Sequence, residues 1–159
     1  MSVARTPLRP QVFTPADTGF EQRIRASFAR QRVMNTIGAE LTSVSPGEVV
    51  IELPFREDLT QQHGYLHAAI ITAIVDSACG YAAHTLMPVD AAVLTAEYKV
   101  NFLAPAAGRR FFAYGRVTKP GRMLTVATGD VVAETEDGPK AIAIMLATMM
   151  TVTGRGISG

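Results

Sequence analysis

The amino-acid sequence predicts an α+β fold: a curved antiparallel sheet of five to six strands wrapped around one long central helix. Three observations lead there. Residues 67–84 are almost wholly apolar, with Ala, Ile and Val on every side, the pattern of a helix buried all round. After Pro88 the chain changes to segments that alternate with the period of two expected of strands. The order is a first helix, two strands, the apolar helix and then four strands. A sheet of that size needs cover on one face, and residues 67–84 are the segment able to supply it.

The individual elements follow from local signals. Pro7, Pro10 and Pro15 make residues 1–15 an unstructured arm. Thr18 and Glu21 have capping-box spacing, and Phe20, Ile24 and Phe28 recur at helical intervals, so a helix is expected to run to about Met34. Strands are expected at 39–44 and 49–55, with Ile51, Leu53 and Phe55 on one face and Pro54 at a strand end or edge. Residues 56–65 read as polar loop. In the strand at 94–102, Leu94, Ala96, Tyr98, Val100 and Phe102 alternate with Thr95, Glu97, Lys99 and Asn101, which predicts one half-buried face. Strands at 110–118 and 123–134 flank Lys119-Pro-Gly-Arg122, which has the residues of a type II turn. A turn at Glu136-Asp-Gly-Pro139 leads into the last strand, 140–152. The expected division is a flexible arm (1–15), a single domain (16–153) and a flexible tail (154–159).

Composition narrows the function classes. The chain has 159 residues, the usual length of one domain, and is 48% hydrophobic and 18% charged. Its 15 basic and 14 acidic residues nearly cancel, which gives no sign of a nucleic-acid surface or a polybasic membrane anchor. One cysteine, Cys79, excludes an internal disulfide framework and fits a reducing compartment. The first residues lack the apolar run of a signal peptide, and no stretch reaches the roughly 20 apolar residues of a membrane span. These readings predict a soluble cytoplasmic protein.

Asp76 stands out against this background, the sole acid in the apolar helix, which holds no Lys or Arg. A buried carboxylate is costly unless it is paired, hydrogen-bonded or facing a wet cleft. Its structural explanation is a hydrogen bond to a neighbour such as Thr72, one turn back; its functional explanation is catalysis. His67 at the helix start is suited equally to backbone capping and to chemistry. His63 and His67 stand four apart, but no third ligand lies at a recognisable spacing, so no metal is expected. Arg109 and Arg110 read as surface charge, Cys79 as a small core residue.

The segment Gln61-Gln-His-Gly64-Tyr-Leu-His67-Ala-Ala, followed by Asp76 nine residues after His67, resembles the signature of hotdog-fold acyl-CoA thioesterases of the phenylacetate-degradation (PaaI-like) type. Thr95, the strand end Phe102-Leu-Ala-Pro105-Ala106 and the turn Lys119-Pro-Gly121-Arg122-Met123-Leu124 extend the resemblance over roughly residues 35–152. It implies that Asp76 acts as general base or nucleophile. It implies that the backbone N–H of Ala68 binds the thioester oxygen, that Gln61 stands where the family has Asn, and that His67 is the helix-start His. Thr95 is implied to line the site. Gly64, Phe102, Pro105, Lys119, Gly121, Arg122, Met123 and Leu124 fall in segments implied to contact coenzyme A, which is part of the substrate rather than a cofactor. Two departures are visible. Gln61 carries its amide one methylene further out than Asn, and Ala68-Ala69 replaces a glycine pair.

Physical chemistry is consistent with those roles. Thioester hydrolysis builds negative charge on the carbonyl oxygen, and free N–H groups at a helix start are preorganised donors for it. Spacing adds a constraint. Nine residues of regular helix rise about 13.5 Å and rotate about 900°, which leaves His67 and Asp76 on opposite faces. If both serve one thioester, they come from two chains of a homodimer or homotetramer. A hotdog hydratase or dehydratase, and a non-catalytic acyl-CoA-binding module, remain the alternatives.

Overall fold

The computed structural model describes residues 12–154, 156 and 157, so most of the expected arm and half of the expected tail lie outside the described residues. Six strands form one antiparallel sheet: β1 (Glu40–Ser45), β2 (Glu48–Pro54), β3 (Ala92–Phe102), β4 (Arg110–Lys119), β5 (Leu124–Thr135) and β6 (Gly138–Val152). Their spatial order is β1-β2-β4-β5-β6-β3, so β3, the first strand after the central helix, crosses to the far edge. That helix, α3 (Ala68–His84), packs against β2 through β6 and is the layer that the sequence requires. The expected fold class is what the structure shows.

Two glycines let the helix sit close. Gly115 and Gly129 are opposite each other on β4 and β5. A Cβ at Gly115 would lie 2.2 Å from the Ala78 carbonyl, and one at Gly129 would lie 2.4 Å from Val75 and 2.8 Å from the Cys79 sulfur. The small residues of α3 and the missing side chains on the sheet fit one another, and the middle of α3 is sealed as a result. Ile71, Ile74, Val75, Ala78, Cys79, Ala82 and Ala83 are all fully buried, with Ile51, Leu53, Phe111, Val131 and Ile142 across from them. Burying one such Ile or Leu side chain contributes on the order of 1.5–3 kcal/mol.

The first helix departs from its expectation. Gly19, not Thr18, is the N-cap of α1 (Phe20–Arg30), and no side chain caps it, so Thr18 and Glu21 do not form a capping box. Glu21 instead pairs with Arg25 one turn on, at 2.9 Å. The helix breaks at Gln31, whose extended ψ of 89° separates α1 from α2 (Arg32–Ile37). Gly38, at φ 77°, ends α2 in the left-handed conformation that glycine adopts most readily. Ile24 and Phe28 are buried as the periodicity requires. Phe28 meets Tyr81 of α3 edge-on at 5.6 Å, which lays α1 across the C-terminal half of the central helix.

Three strand details are corrected. Phe55 lies beyond the end of β2 and is exposed, because Pro54 closes the strand. Ala96 has no partner on β6: the register slips between Thr95 and Glu97, a bulge that reverses which residues face inward. Tyr98, Val100 and Phe102 therefore share a face with Thr95, not with Leu94. Tyr98 and Phe102 remain close to half exposed, because β3 is an edge strand, so the predicted half-buried face is not formed within one chain. Finally, β4 and β5 do form a hairpin, but Gly121 is not among the positive-φ glycines, so Lys119-Pro-Gly-Arg122 is not a type II turn. Glycine is needed there for space: a Cβ would lie 2.1 Å from the Leu124 carbonyl oxygen.

Candidate active site

A tight loop sets up the start of α3. Gly64 donates to the Gln61 carbonyl at 3.0 Å and Gln61 to that of Tyr65 at 2.8 Å. Gly64 holds φ at 82°, so the loop needs glycine here for its conformation. Leu66 donates to Ala106 at 3.1 Å and His67 to Leu59 at 3.0 Å, which pins the helix entry between two other loops. His67 is the N-cap, and its Nδ1 accepts from the Ala69 N–H at 3.0 Å. In the neutral ring that leaves the proton on Nε2. The Ala68 N–H makes no hydrogen bond among the described residues, and is a free donor at the positive end of a 17-residue helix. The Gln61 Oε1 accepts from the His63 N–H, which leaves the Gln61 NH2 group as a second donor. Gln61, His67 and Ala68, with Phe102 and Pro105, line a groove of about 720 Å³.

The carboxylate is elsewhere. Asp76 is half-buried and accepts from the Thr95 hydroxyl at 2.8 Å. Thr72 is not its partner; that hydroxyl donates to the Ala68 carbonyl at 2.9 Å. Burial raises the Asp76 pKa above the ordinary carboxylate range, opposed by the hydrogen bond from Thr95, which favours the charged form. The group is thus held nearer to neutrality than a free Asp, as suits a base. Cys79 lies one turn away, but burial, with the charges of Asp76 and Asp130, pushes its thiol up to about 12, so it is not a nucleophile near neutral pH. Asp76 and Thr95 line a second cavity, of about 220 Å³.

The implied site residues thus fall into two groups within one chain. Gln61, Gly64, His67, Ala68, Phe102 and Pro105 gather at one end of β3. Leu124 is opposite Met150, which is opposite Leu94, so the β4–β5 hairpin lies at the Thr95 end of the sheet, with β6 between it and β3. Lys119, Gly121, Arg122, Met123 and Leu124 are all exposed on that hairpin. Within one chain, then, the two groups line different cavities.

Several residues in the second cavity escape the sequence reading. Ser27 and Gln31 come from α1 and its junction with α2, and Ser77, Tyr81 and His84 from α3. Ser27 and Gln31 give no sequence signal. His84 does, because with His67 and Asp76 it completes the side chains in residues 67–84 that titrate below pH 7 in model peptides. Among the described residues no cluster of three or more His, Cys, Asp or Glu could hold a metal ion. No described helix is long and apolar enough to cross a membrane.

Comparison with known proteins joins these features. The thioesterase superfamily model matches residues 63–140, which include the helix start from His63 onward and Asp76. A solved thioesterase family protein from Silicibacter pomeroyi is 53% identical; the alignment covers 86% of this chain and 100% of that one, at a TM-score of 0.84. The solved PaaI protein of the E. coli phenylacetic acid degradation operon is 19% identical over 85% of this chain and 94% of its own, and its TM-score of 0.76 shows a shared fold. A putative esterase of Saccharolobus solfataricus is 36% identical over 97 residues, 61% of this chain and 64% of the relative, so the match spans a little under two thirds of that protein. A 1,4-dihydroxy-2-naphthoyl-CoA hydrolase of Listeria monocytogenes is 28% identical over 104 residues, 65% of this chain and 85% of the relative. With the six-stranded sheet around α3 and the family pattern carried by its loop and helix, the chain belongs to the thioesterase superfamily and has the hotdog fold.

Proposed function

We propose that this protein hydrolyses acyl-CoA thioesters in sites shared between two chains. The observation that carries the reading is the separation just described: the free donors of Gln61 and Ala68 line one cavity, and the carboxylate of Asp76 lines another. Neither is sufficient alone, since thioester hydrolysis calls for both a base and an oxyanion donor. β3 has an unpaired edge. Antiparallel pairing of two such edges about a two-fold axis sets the Thr95 end of one strand beside the Phe102 end of its partner. It also covers Tyr98 and Phe102. Asp76 of one chain then faces the Gln61–Ala68 loop of the other, twice per dimer. A dimer of such dimers keeps the same sites.

In that site the Ala68 N–H and the Gln61 NH2 hold the thioester oxygen. The Asp76 carboxylate takes a proton from water as the water oxygen bonds to the carbonyl carbon. The C–S bond then breaks, and the departing coenzyme A thiolate takes up a proton. Direct attack by the Asp76 oxygen, with later hydrolysis of the resulting anhydride, uses the same geometry. His67 positions the loop: its Nδ1 occupies the Ala69 N–H and so directs the substrate oxygen to Ala68. Thr95 keeps Asp76 aimed and partly ionised. Lys119 and Arg122 contact the phosphates of coenzyme A, while Phe102, Pro105 and the Gly121–Leu124 segment flank its chain. The steps need no metal and no redox cofactor, and a reducing cytoplasm suits the lone buried Cys79. The Listeria relative, named for hydrolysis of an aryl-CoA, supports the substrate class.

Release of free thiol from a panel of acyl-CoAs, followed with a thiol-reactive dye, tests the reading. Turnover of at least one member is expected. A folded protein that binds acyl-CoA but releases no thiol from any of them is a binding module, and refutes hydrolysis.

A further inference from the structure

A glycine inside a helix needs a reason, because it loses more backbone freedom on folding than alanine and lacks its helical preference. Gly80 is the sole glycine of α3 and stands a full turn before the last residue, His84. Its φ is not positive, so no turn or left-handed backbone calls for glycine there. Packing within the chain does not call for it either. At Gly115 and Gly129 an added Cβ would run into α3. At Gly80, although the residue is buried, an added Cβ would meet no heavy atom within 4 Å beyond its chain neighbours and the adjoining helix backbone. A buried position with empty space before its Cα faces a cavity, and Gly80 lines the same 220 Å³ cavity as Asp76 and Thr95.

Gly80 comes four residues after Asp76, one turn on along the same face of α3. Helical side chains lean toward the N-terminus and cover the turn before their own Cα. A side chain at position 80 would therefore lie over Asp76. The other walls of the cavity already carry side chains: Ser27 and Gln31 from α1 and its break, Tyr81 from α3 and Val93 from β3. They are also tied in place. Gln31 donates to the Ser77 hydroxyl at 3.2 Å, and the Ser27 and Tyr81 hydroxyls are 3.4 Å apart. The room beside the acid thus depends on position 80. Resting on the thioesterase reading above, we infer that Gly80 is a specificity-determining residue: by carrying no side chain it keeps the flank of Asp76 open, and so sets the bulk of the thioester that can meet the carboxylate. Glycine at this place gives up helix stability for access, and the two effects have opposite signs when it is replaced.

The test is a series at one position, Gly80→Ala and Gly80→Leu, in the full chain. Both residues favour helix over glycine, so the melting temperature is expected to rise, by about 2–4 °C for alanine. Selectivity is expected to move the other way. The kcat/KM for the bulkiest acyl-CoA that the wild type accepts, relative to the smallest, should fall at least about tenfold in Gly80→Ala and further in Gly80→Leu, since one added carbon in a closed site is worth about 10–200-fold. Affinities for the bulkiest and smallest acyl-CoA of the panel are measured calorimetrically in an Asp76→Asn background, so the answer does not depend on turnover. If the wild type cleaves no acyl-CoA, the hydrolase reading falls, while a loss of affinity graded by acyl bulk still supports the role of Gly80. A ratio within twofold of wild type in both variants, in turnover and in binding, overturns the inference. A lower melting temperature or a changed assembly mass in Gly80→Ala also overturns it, because the space at Gly80 is then taken up by packing between chains.

Discussion

At its first residue α3 is exposed, is entered from a glycine-dependent loop and offers an unpaired N–H. Two turns later the same helix is enclosed among alanines and carries one acid. The first region opens onto a groove, where its donors are the Ala68 backbone N–H and the Gln61 side-chain amide. The second is enclosed because Gly115 and Gly129 let α3 settle onto the sheet, and that closeness desolvates Asp76. A donor is strongest at a preorganised helix end, and a carboxylate becomes a better base when burial holds its pKa up. Ala68 and Asp76 are eight residues apart on one helix, and within one chain they line different cavities.

The sharpest way to break the comparison is to remove the acid. Asp76→Asn keeps the shape and loses the base, so kcat is expected to fall at least about a hundredfold, within the range for general-base catalysis, with circular dichroism unchanged. Near-normal turnover by the folded variant would take Asp76 out of the mechanism.

Mixing tests whether the two regions cooperate across chains. An Asp76→Asn protein and one inactivated at Gln61–His67 are refolded together, with heterodimers verified by mass. Half of the dimers are then mixed, and each has one intact site. About a quarter of wild-type activity is expected to return if sites act independently. No recovery in a verified mixture means that each chain holds its own complete site.

Arg122 concerns the hairpin that lies with the Asp76 region. Arg122→Ala is expected to raise KM for acyl-CoA by up to about fivefold, the size of an exposed charge contact, and to leave KM for a short thioester without the nucleotide unchanged. Equal changes for both substrates would contradict phosphate contact.

The smallest effect is on the pH profile. Burial raises the Asp76 pKa and the Thr95 hydrogen bond lowers it, so activity should rise with pH through a midpoint above the usual carboxylate value. Thr95→Val removes the opposing bond, and the acid limb is expected to move to higher pH. A shift to lower pH, or none, would mean that Thr95 does not act on the ionised carboxylate.

The sequence was a good guide wherever one short stretch carries the whole physical signal. All six strands, the α3 boundaries to within a residue or so and the sole acid in an apolar helix are legible because periodicity and charge are local. Hotdog topology and thioesterase membership were legible through the Gln61–Ala69 segment and Asp76. The capping box fails although Thr18 and Glu21 have the right spacing, because Gly19 is the N-cap and no side chain caps α1. The face assignment of β3 failed at one bulge, since a single unpaired residue moves everything beyond it to the other side of the sheet.

By itself, then, the chain determines a buried helix with one acid, strands enough to cover it, and a nine-residue spacing that sets Asp76 half a turn and about 13.5 Å from His67. Only the tertiary structure decides that Thr95, not Thr72, holds Asp76, because residues 19 apart meet only when β3 crosses to its edge position. It alone decides that Ala68 keeps a free N–H while His67 takes that of Ala69. It alone brings Gln31 and His84 into one cavity, from helices 46 residues apart at the Gln31–Ser77 bond. Periodicity records which side of an element is buried; which other element buries it is settled by packing.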